Sequence, residues 1–164
     1  MAFTIEDGTG VTDSNAFCGV TFADDYHADR GSADWKGSKQ EKQRAIVRAS
    51  DFLNRLSYRG SKVDEEQSMA WPRGDVWSEG HELLDPEVIP IQLKRATAEM
   101  AMIALAQELQ PDSVDGRVAS ETEKSGSMSL TTTFVTDDSP RYQRVMAMLD
   151  GLIQSQGQVP LARA

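Results

Sequence analysis

A mainly α fold is what this sequence predicts: a small helical bundle with a long wrapping loop, a β-hairpin and extended terminal arms. Three observations carry it. Apolar residues recur at spacings of three and four in 45–56 and 142–153, and 100–106 is apolar throughout. The stretch 117–135 alternates instead and is rich in Thr and Val, the period of a strand. Residues 61–90 are broken by Pro72, Gly74, Gly80, Pro86 and Pro90 yet keep Trp71 and Trp77, so they read as an ordered loop, because disordered segments lack aromatics.

Residues 1–20 read as an extended arm: Phe3, Thr4 and Ile5 suit a strand, and Asp7, Gly8 and Gly10 mark turns. Thr21 is placed to cap a short helix reaching about Arg30, with Asp24 and Asp25 in its first turn, where the helix dipole favours acids. Phe22, Tyr26 and Trp35 turn inward, and Gly31 stops the helix.

Ser38 and Glu41 form a capping box, a hydroxyl at the N-cap and a carboxylate three residues on. The helix they start runs to about Ser57 with Ala45, Ala49, Phe52, Leu53 and Leu56 on one stripe and Lys42, Arg44, Arg48 and Arg55 off it. In the loop that follows, Trp71 and Pro72 anchor the chain on the core. Pro90 suits the first turn of a further helix, which runs to about Gln110 and stops before Pro111. Its half 100–106, with Met102 and Leu105, is apolar on every side, and burial against a neighbouring subunit is the expected cover.

The hairpin at about 117–135 turns at Ser125-Gly126, and Ser139-Pro140 starts a last helix. Its stripe is Tyr142, Val145, Met146, Leu149, Leu152 and Ile153. The tail 155–164 has no acids and no helical pattern. The organisation is thus an N-terminal arm (1–20), a helical domain (21–154) and a C-terminal tail.

Length and composition bound the function. The chain has 164 residues, enough for a single core, and 26 acids against 17 bases give a net charge of −9. The longest apolar run is far too short to cross a bilayer, and the first fifteen residues lack a secretory pattern. One cysteine, Cys18, excludes a disulfide framework. A soluble protein of the reducing cytoplasm, or one assembled there, is the expectation.

The charge is segregated. Residues 1–34 carry a net −6, residues 36–62 a net +6 and residues 63–164 a net −9. One basic segment inside an acidic chain suits an acidic partner or an acidic part of another copy, or simply a solvated helix face.

Catalytic and metal motifs are lacking. His81-Glu82 begins like a zinc-protease helix but has no second histidine. Asp24, Asp25 and His27 are explained by the start of a helix rather than by a metal. Gly8-Thr9-Gly10 lacks the third glycine and the lysine of a phosphate loop. Cys18 has no His or Asn placed by a recognisable motif. No enzyme activity, cofactor or metal is expected. The basic segment, with Trp35, Phe52 and Tyr58 nearby, has the residue types that hold single strands. Against that, Phe52 lies on the apolar stripe and the acidic remainder repels phosphate.

Several stretches together resemble a known family: Glu6-Asp-Gly-Thr-Gly10, Ala23-Asp-Asp-Tyr26 with Arg30-Gly31, Arg48-Ala-Ser-Asp-Phe-Leu53, Tyr58-Arg59-Gly60, Ala70-Trp-Pro-Arg-Gly74, Ile89-Pro90, Lys94-Arg-Ala-Thr-Ala-Glu99 and Leu109-Gln-Pro-Asp112. In this order they resemble the head-to-tail connector (adaptor) proteins of tailed bacteriophages, which often carry the label DnaT-like single-stranded-DNA-binding protein. The resemblance covers about residues 3–154.

It implies a structural virion protein, assembled in the host cytoplasm. About twelve copies would form a ring at the head–tail junction, docking under the portal protein and meeting the next tail or head-completion protein. Double-stranded DNA would pass through without specific binding, and no membrane is involved. On that reading Arg44, Arg48 and Arg55 face acidic groups of the adjacent copy or the portal, Met102 and Leu105 meet a neighbour, and Val159 and Leu161 of the tail dock on the portal. Trp35, Phe52, Trp71 and Pro72 are anchors of the fold. The alternative reading follows the label, a replication accessory that binds single-stranded DNA.

Overall fold

The computed structural model describes residues 2–78, 81–109, 117–125, 128–136 and 142–154, the strands 117–125 and 128–136 through their backbone. In chain order the elements are α1 (Val20–Ala28), α2 (Lys39–Asn54), β1 (Ser61–Lys62), β2 (Arg73–Gly74), α3 (Ile91–Ala106), β3 (Arg117–Ser125), β4 (Met128–Thr136) and α4 (Gln143–Leu149). The predicted mainly α class with one hairpin is what the chain adopts. Two units result: the helical unit up to residue 109 with the chain from 142 on, and the hairpin segment between.

Helix α2 forms where the sequence places it. Ser38 Oγ accepts from the Glu41 N–H, and the Glu41 carboxylate accepts from the Ser38 N–H at 2.7 Å, closing the capping box. Ala45, Ile46, Ala49, Ser50 and Leu53 are buried on its inner side, whereas Phe52 is half-buried. The helix ends at Asn54 rather than near Ser57.

Helix α3 packs against α1, α2 and α4. Met100, Ala101 and Ala104 are buried, while Met102, Ile103 and Leu105 are half-buried against the same core. Three helices of the same chain thus cover part of α3, while Met102, Ile103 and Leu105 keep some of their surface open. Pro90 stands at the N-cap of α3, one residue before the position expected.

Helix α1 departs from its sequence reading. It begins at Val20 behind an extended Gly19, with no side-chain cap and no acid in its first turn, so Thr21 is not its cap. Asp24 serves elsewhere: its Oδ1 accepts from Trp35 Nε1 and from Lys42 Nζ, each at 2.7 Å. That pair of bonds holds the segment between α1 and α2 and keeps Trp35 7% exposed.

The N-terminal segment is not a free arm. Glu6 N–H donates to Ala16 O, Asn15 N–H donates to Thr4 O, and Ile5 bridges Ala16. Ala16, Phe17 and Cys18 are buried in the core. Gly8 sits with φ +115° against the Glu87 carbonyl, and a Cβ there would lie inside that carbonyl group, so both the backbone sign and the space demand glycine.

The long loop wraps as expected. Trp71 is wholly buried, edge-on to Tyr58 at 6.0 Å between ring centroids, and Pro72 is buried beside it across a cis peptide bond. Arg73 fastens the loop by donating to the carbonyls of Arg59, Gly60, Tyr58 and Ala70. In α4, Val145 and Leu149 are buried, as is Leu152 just beyond. The hairpin pairs Arg117 with Thr136 through to Ser125 with Met128. Gly126, the expected helix start at Ser139-Pro140 and the tail with Val159 and Leu161 lie outside the described residues.

Candidate functional site

The only sequence segment with a strongly basic balance is 36–62, and the structure decides which of its cations are available. Lys42 is ion-paired with Asp24 and stands 5.3 Å from the Trp35 ring. Burial alone would raise the Asp24 carboxyl, but the bonds from Lys42 and Trp35 outweigh it and hold the group below its usual range. Arg48 donates to the Ala104 carbonyl near the C-terminal end of α3, where the helix dipole favours a cation. Arg59 Nε donates to Ile153 O at 3.1 Å and Lys62 Nζ to Gln67 O at 3.3 Å. Arg55 is engaged as well. Lys36, Lys39 and Arg44 are exposed and make no side-chain hydrogen bond or ion pair among the described residues.

Lys39, seven residues before the buried Ile46, stands at the exposed N-terminal end of the buried stripe of α2, whereas Lys36 lies on the lead-in and Arg44 on the outer side of the helix. A hollow of about 580 Å³ is lined there by Ala2, Phe3, Asn15, Gln40, Gln43, Arg44, Val47 and Arg48. A second, of about 320 Å³, is lined by Lys36, Gly37, Glu41, Arg44, Arg48 and Leu105. Arg44 and Arg48 line both, so they form a shared wall. Of the residues singled out for an interface, the structure thus brings together Arg44, Arg48 and Leu105. Met102 packs on the core, and Arg55 lines neither hollow. Phe3, Asn15, Gln40 and Gln43 are additions that no motif announced, since the N-terminal segment reaches α2 only through the tertiary fold.

The other candidate groups prove structural. The glycine-rich run Gly8-Thr9-Gly10 does converge its backbone N–H groups on a carboxylate, but the carboxylate is the chain's own: Glu6 Oε1 accepts from Gly8 and Gly10 at 3.0 Å and from Val11 at 3.3 Å, and Glu6 Oε2 accepts from Ser14 Oγ at 2.9 Å. An anion-binding concavity is present and already filled. Cys18 is buried, and burial pushes its thiol up to about 12, so it stays protonated and a poor nucleophile.

His27 is 1% exposed, its ring centroid 4.8 Å from that of Trp35 and tilted 31° to it, with Nε2 3.0 Å from the Ala98 carbonyl; that carbonyl can only accept, so Nε2 carries the proton. Nδ1 is buried with no partner among the described residues. Burial pushes the imidazole below its usual value, against the opposing pull of the Ala98 carbonyl and of Glu99. Beside it Glu99 accepts from Tyr26 Oη and pairs with Arg144, each at 2.8 Å, which ties α1, α3 and α4 together.

A pH dependence follows with a definite sign. A histidine depressed in the folded state is protonated first in the unfolded chain, so stability present above about pH 6.5 is lost as pH falls toward the folded value. Urea midpoints should decline between pH 7.5 and 5.5, and His27→Phe should flatten that part of the decline. An equal slope in the variant would assign the loss to other groups.

Across its whole length, residues 1–164, the chain matches the family described as "Putative DnaT-like ssDNA binding protein". The match carries the second of the two roles that the sequence resemblance named and is silent on a portal or a tail. No curated protein and no solved structure matches the chain. The chain belongs to the family of DnaT-like single-stranded-DNA-binding proteins so described.

Proposed function

We propose that the chain is an accessory protein that binds single-stranded DNA, weakly and without base specificity, along the outer side of α2. The observation that carries this reading is the whole-length family match. The geometry supports this: Lys36 and Arg44 border the hollows, Lys39 is exposed on the same helix, and Phe3 in the lining of the larger hollow offers an apolar surface for a base. No catalytic step is involved, and no cofactor or metal is required.

The charge balance limits the affinity. With three phosphate contacts, log K should fall against log salt with a slope of about −2, well short of a dedicated strand-binding protein. Anisotropy of a labelled oligo-dT at 50 to 200 mM salt tests this. Binding with that slope, lost in Lys39→Glu/Arg44→Glu, supports the reading; no binding at 50 mM salt, or binding unchanged in the double variant, rejects it.

A second reading is kept because a specific observation favours it. The fold engages Lys42, Arg48, Arg59, Lys62 and Arg73 in its own contacts and leaves a chain of net charge −9, a poor binder but a suitable wall for DNA that must slide past. That is the connector role: a ring of copies between the portal protein and the next tail component of a phage particle. Cryo-electron microscopy of the head–tail junction decides it, by helical density for this chain in a ring under the portal or by its absence from the particle.

A further inference from the structure

The segment between β2 and α3 shows three large apolar side chains to solvent, Trp77, Leu83 and Val88, and it is built to display the first two together. Val76 and Leu84 turn in, and Leu84 N–H donates to Val76 O at 2.8 Å. One position along, Trp77 and Leu83 bridge each other and stand 57% and 53% exposed. Ser78 N–H donates to Glu82 O at 2.8 Å, and Ser78 Oγ accepts from Glu82 N–H at 3.1 Å. The display is therefore held by hydrogen bonds at both ends and rests on a buried valine. Paired cross-strand residues point to the same side, so Trp77 and Leu83 form one surface.

Two further features lie next to it. A hollow of about 320 Å³ opens between this segment, the start of α3 and the end of α4, lined among others by Ser78, Leu84, Gln92, Met148 and Leu152. From Gly74 to Leu93 the chain carries five acids and no lysine or arginine. Asp75, Glu82, Asp85 and Glu87 of that set are exposed.

We propose that this surface docks a protein segment that carries lysine or arginine around apolar side chains. Trp77 and Leu83 themselves do not line that hollow; they present one exposed apolar face on an ordered segment, and tryptophan is the residue type that most often anchors a protein interface. The acids choose the partner's sign: they repel nucleic acid phosphates and anionic lipid, and they attract a basic rim. The surface is separate from the outer side of α2, so this chain would hold a basic protein segment at one place and an acidic ligand at another.

Trp77 is the exposed tryptophan, with Trp35 and Trp71 buried, so intrinsic fluorescence reports on it. The probe is a short synthetic peptide of alternating lysine and leucine, with a lysine–serine peptide and oligo-dT as comparisons. The expected result is a blue shift and reduced acrylamide quenching with the lysine–leucine peptide alone, weakening as salt rises. Anisotropy of the labelled peptide should show at least tenfold weaker binding in Leu83→Ser and in Trp77→Ser, with melting curves unchanged because both residues are exposed. Should either variant melt early, the wild-type titration still decides. No response to the lysine–leucine peptide overturns the proposal, as does an equal response to the lysine–serine peptide. A blue shift with oligo-dT would reassign the surface to nucleic acid, and one produced by raising protein concentration alone would reassign it to a second copy; either result overturns the proposal too. The peptide outcomes do not bear on the oligo-dT affinity of the α2 face, which is read from the DNA label and its loss in Lys39→Glu/Arg44→Glu.

Discussion

Glu6→Ala is expected to unfold the N-terminal segment and to cost about 3–5 kcal/mol, because buried donors left without an acceptor each lose on the order of 1–3 kcal/mol. Glu6 is wholly buried, and its two oxygens accept four bonds, three from backbone N–H groups and one from Ser14. No arginine or lysine pairs with it among the described residues. The carboxylate is held by dipoles alone, and its removal leaves those dipoles facing each other. The same loop carries Gly8 against Glu87 and, through the Phe17 N–H bond to Ser50 Oγ, leads the chain onto α2.

The loss should therefore spread to the core rather than remain local. At this chain length it corresponds to a drop in melting temperature of roughly 10 °C. Glu6→Gln separates acceptor from charge: the amide oxygen can replace Oε1, and its NH2 can donate to Ser14 Oγ. It should lose clearly less than Glu6→Ala in the same thermal melts. Equal losses in the two variants would mean that the charge, not the acceptor geometry, holds the loop.

That loop also shows where sequence reading stops. Glu6-Asp-Gly-Thr-Gly10 reads as turn chemistry, and the turns are there. What no spacing rule announces is that three N–H groups aim back at the first residue of the run. That depends on the positive φ of Gly8 and Gly10 and on a neighbour eighty residues away. The capping box at Ser38 and Glu41, by contrast, was legible because both partners lie within one turn.

The availability of the cations fails to show in the sequence for the same reason as the loop. Arg48 reaches a carbonyl 56 residues on, and Arg59 one 94 residues on. Composition therefore counts eight bases in 36–62, whereas the fold leaves three of them without a side-chain hydrogen bond or ion pair among the described residues. Helix α3 is a related case: an all-round apolar stretch does demand cover, but pattern alone does not say how much of it the chain's own α1, α2 and α4 supply.

Trp71→Ala is the second large effect expected, at about 3–5 kcal/mol, the range for truncating a buried aromatic to alanine. Trp71 is wholly buried in the middle of the long loop, where its ring meets Tyr58 edge-on. Tyr58 Oη in turn donates to Leu53 O at the end of α2, so the tryptophan is the joint between loop and bundle. Nothing else the loop buries is as large: Met69, Val76 and Ile89 are buried but smaller, and Trp77, Leu83 and Val88 are exposed. Losing the joint should loosen 61–90 as a whole. Hydrogen exchange would then rise at the Val63 and Leu84 amides, which bond to Pro72 O and Val76 O, along with the drop in the melt.

One feature sharpens the test. Trp71 Nε1 is buried with no hydrogen-bond partner among the described residues, an unsatisfied donor that works against the fold. Trp71→Phe keeps a ring and removes that donor, so its cost should be less than half that of Trp71→Ala. A phenylalanine variant as unstable as the alanine one would show that the full volume of the indole, rather than aromatic contact with Tyr58, holds the loop to the helices.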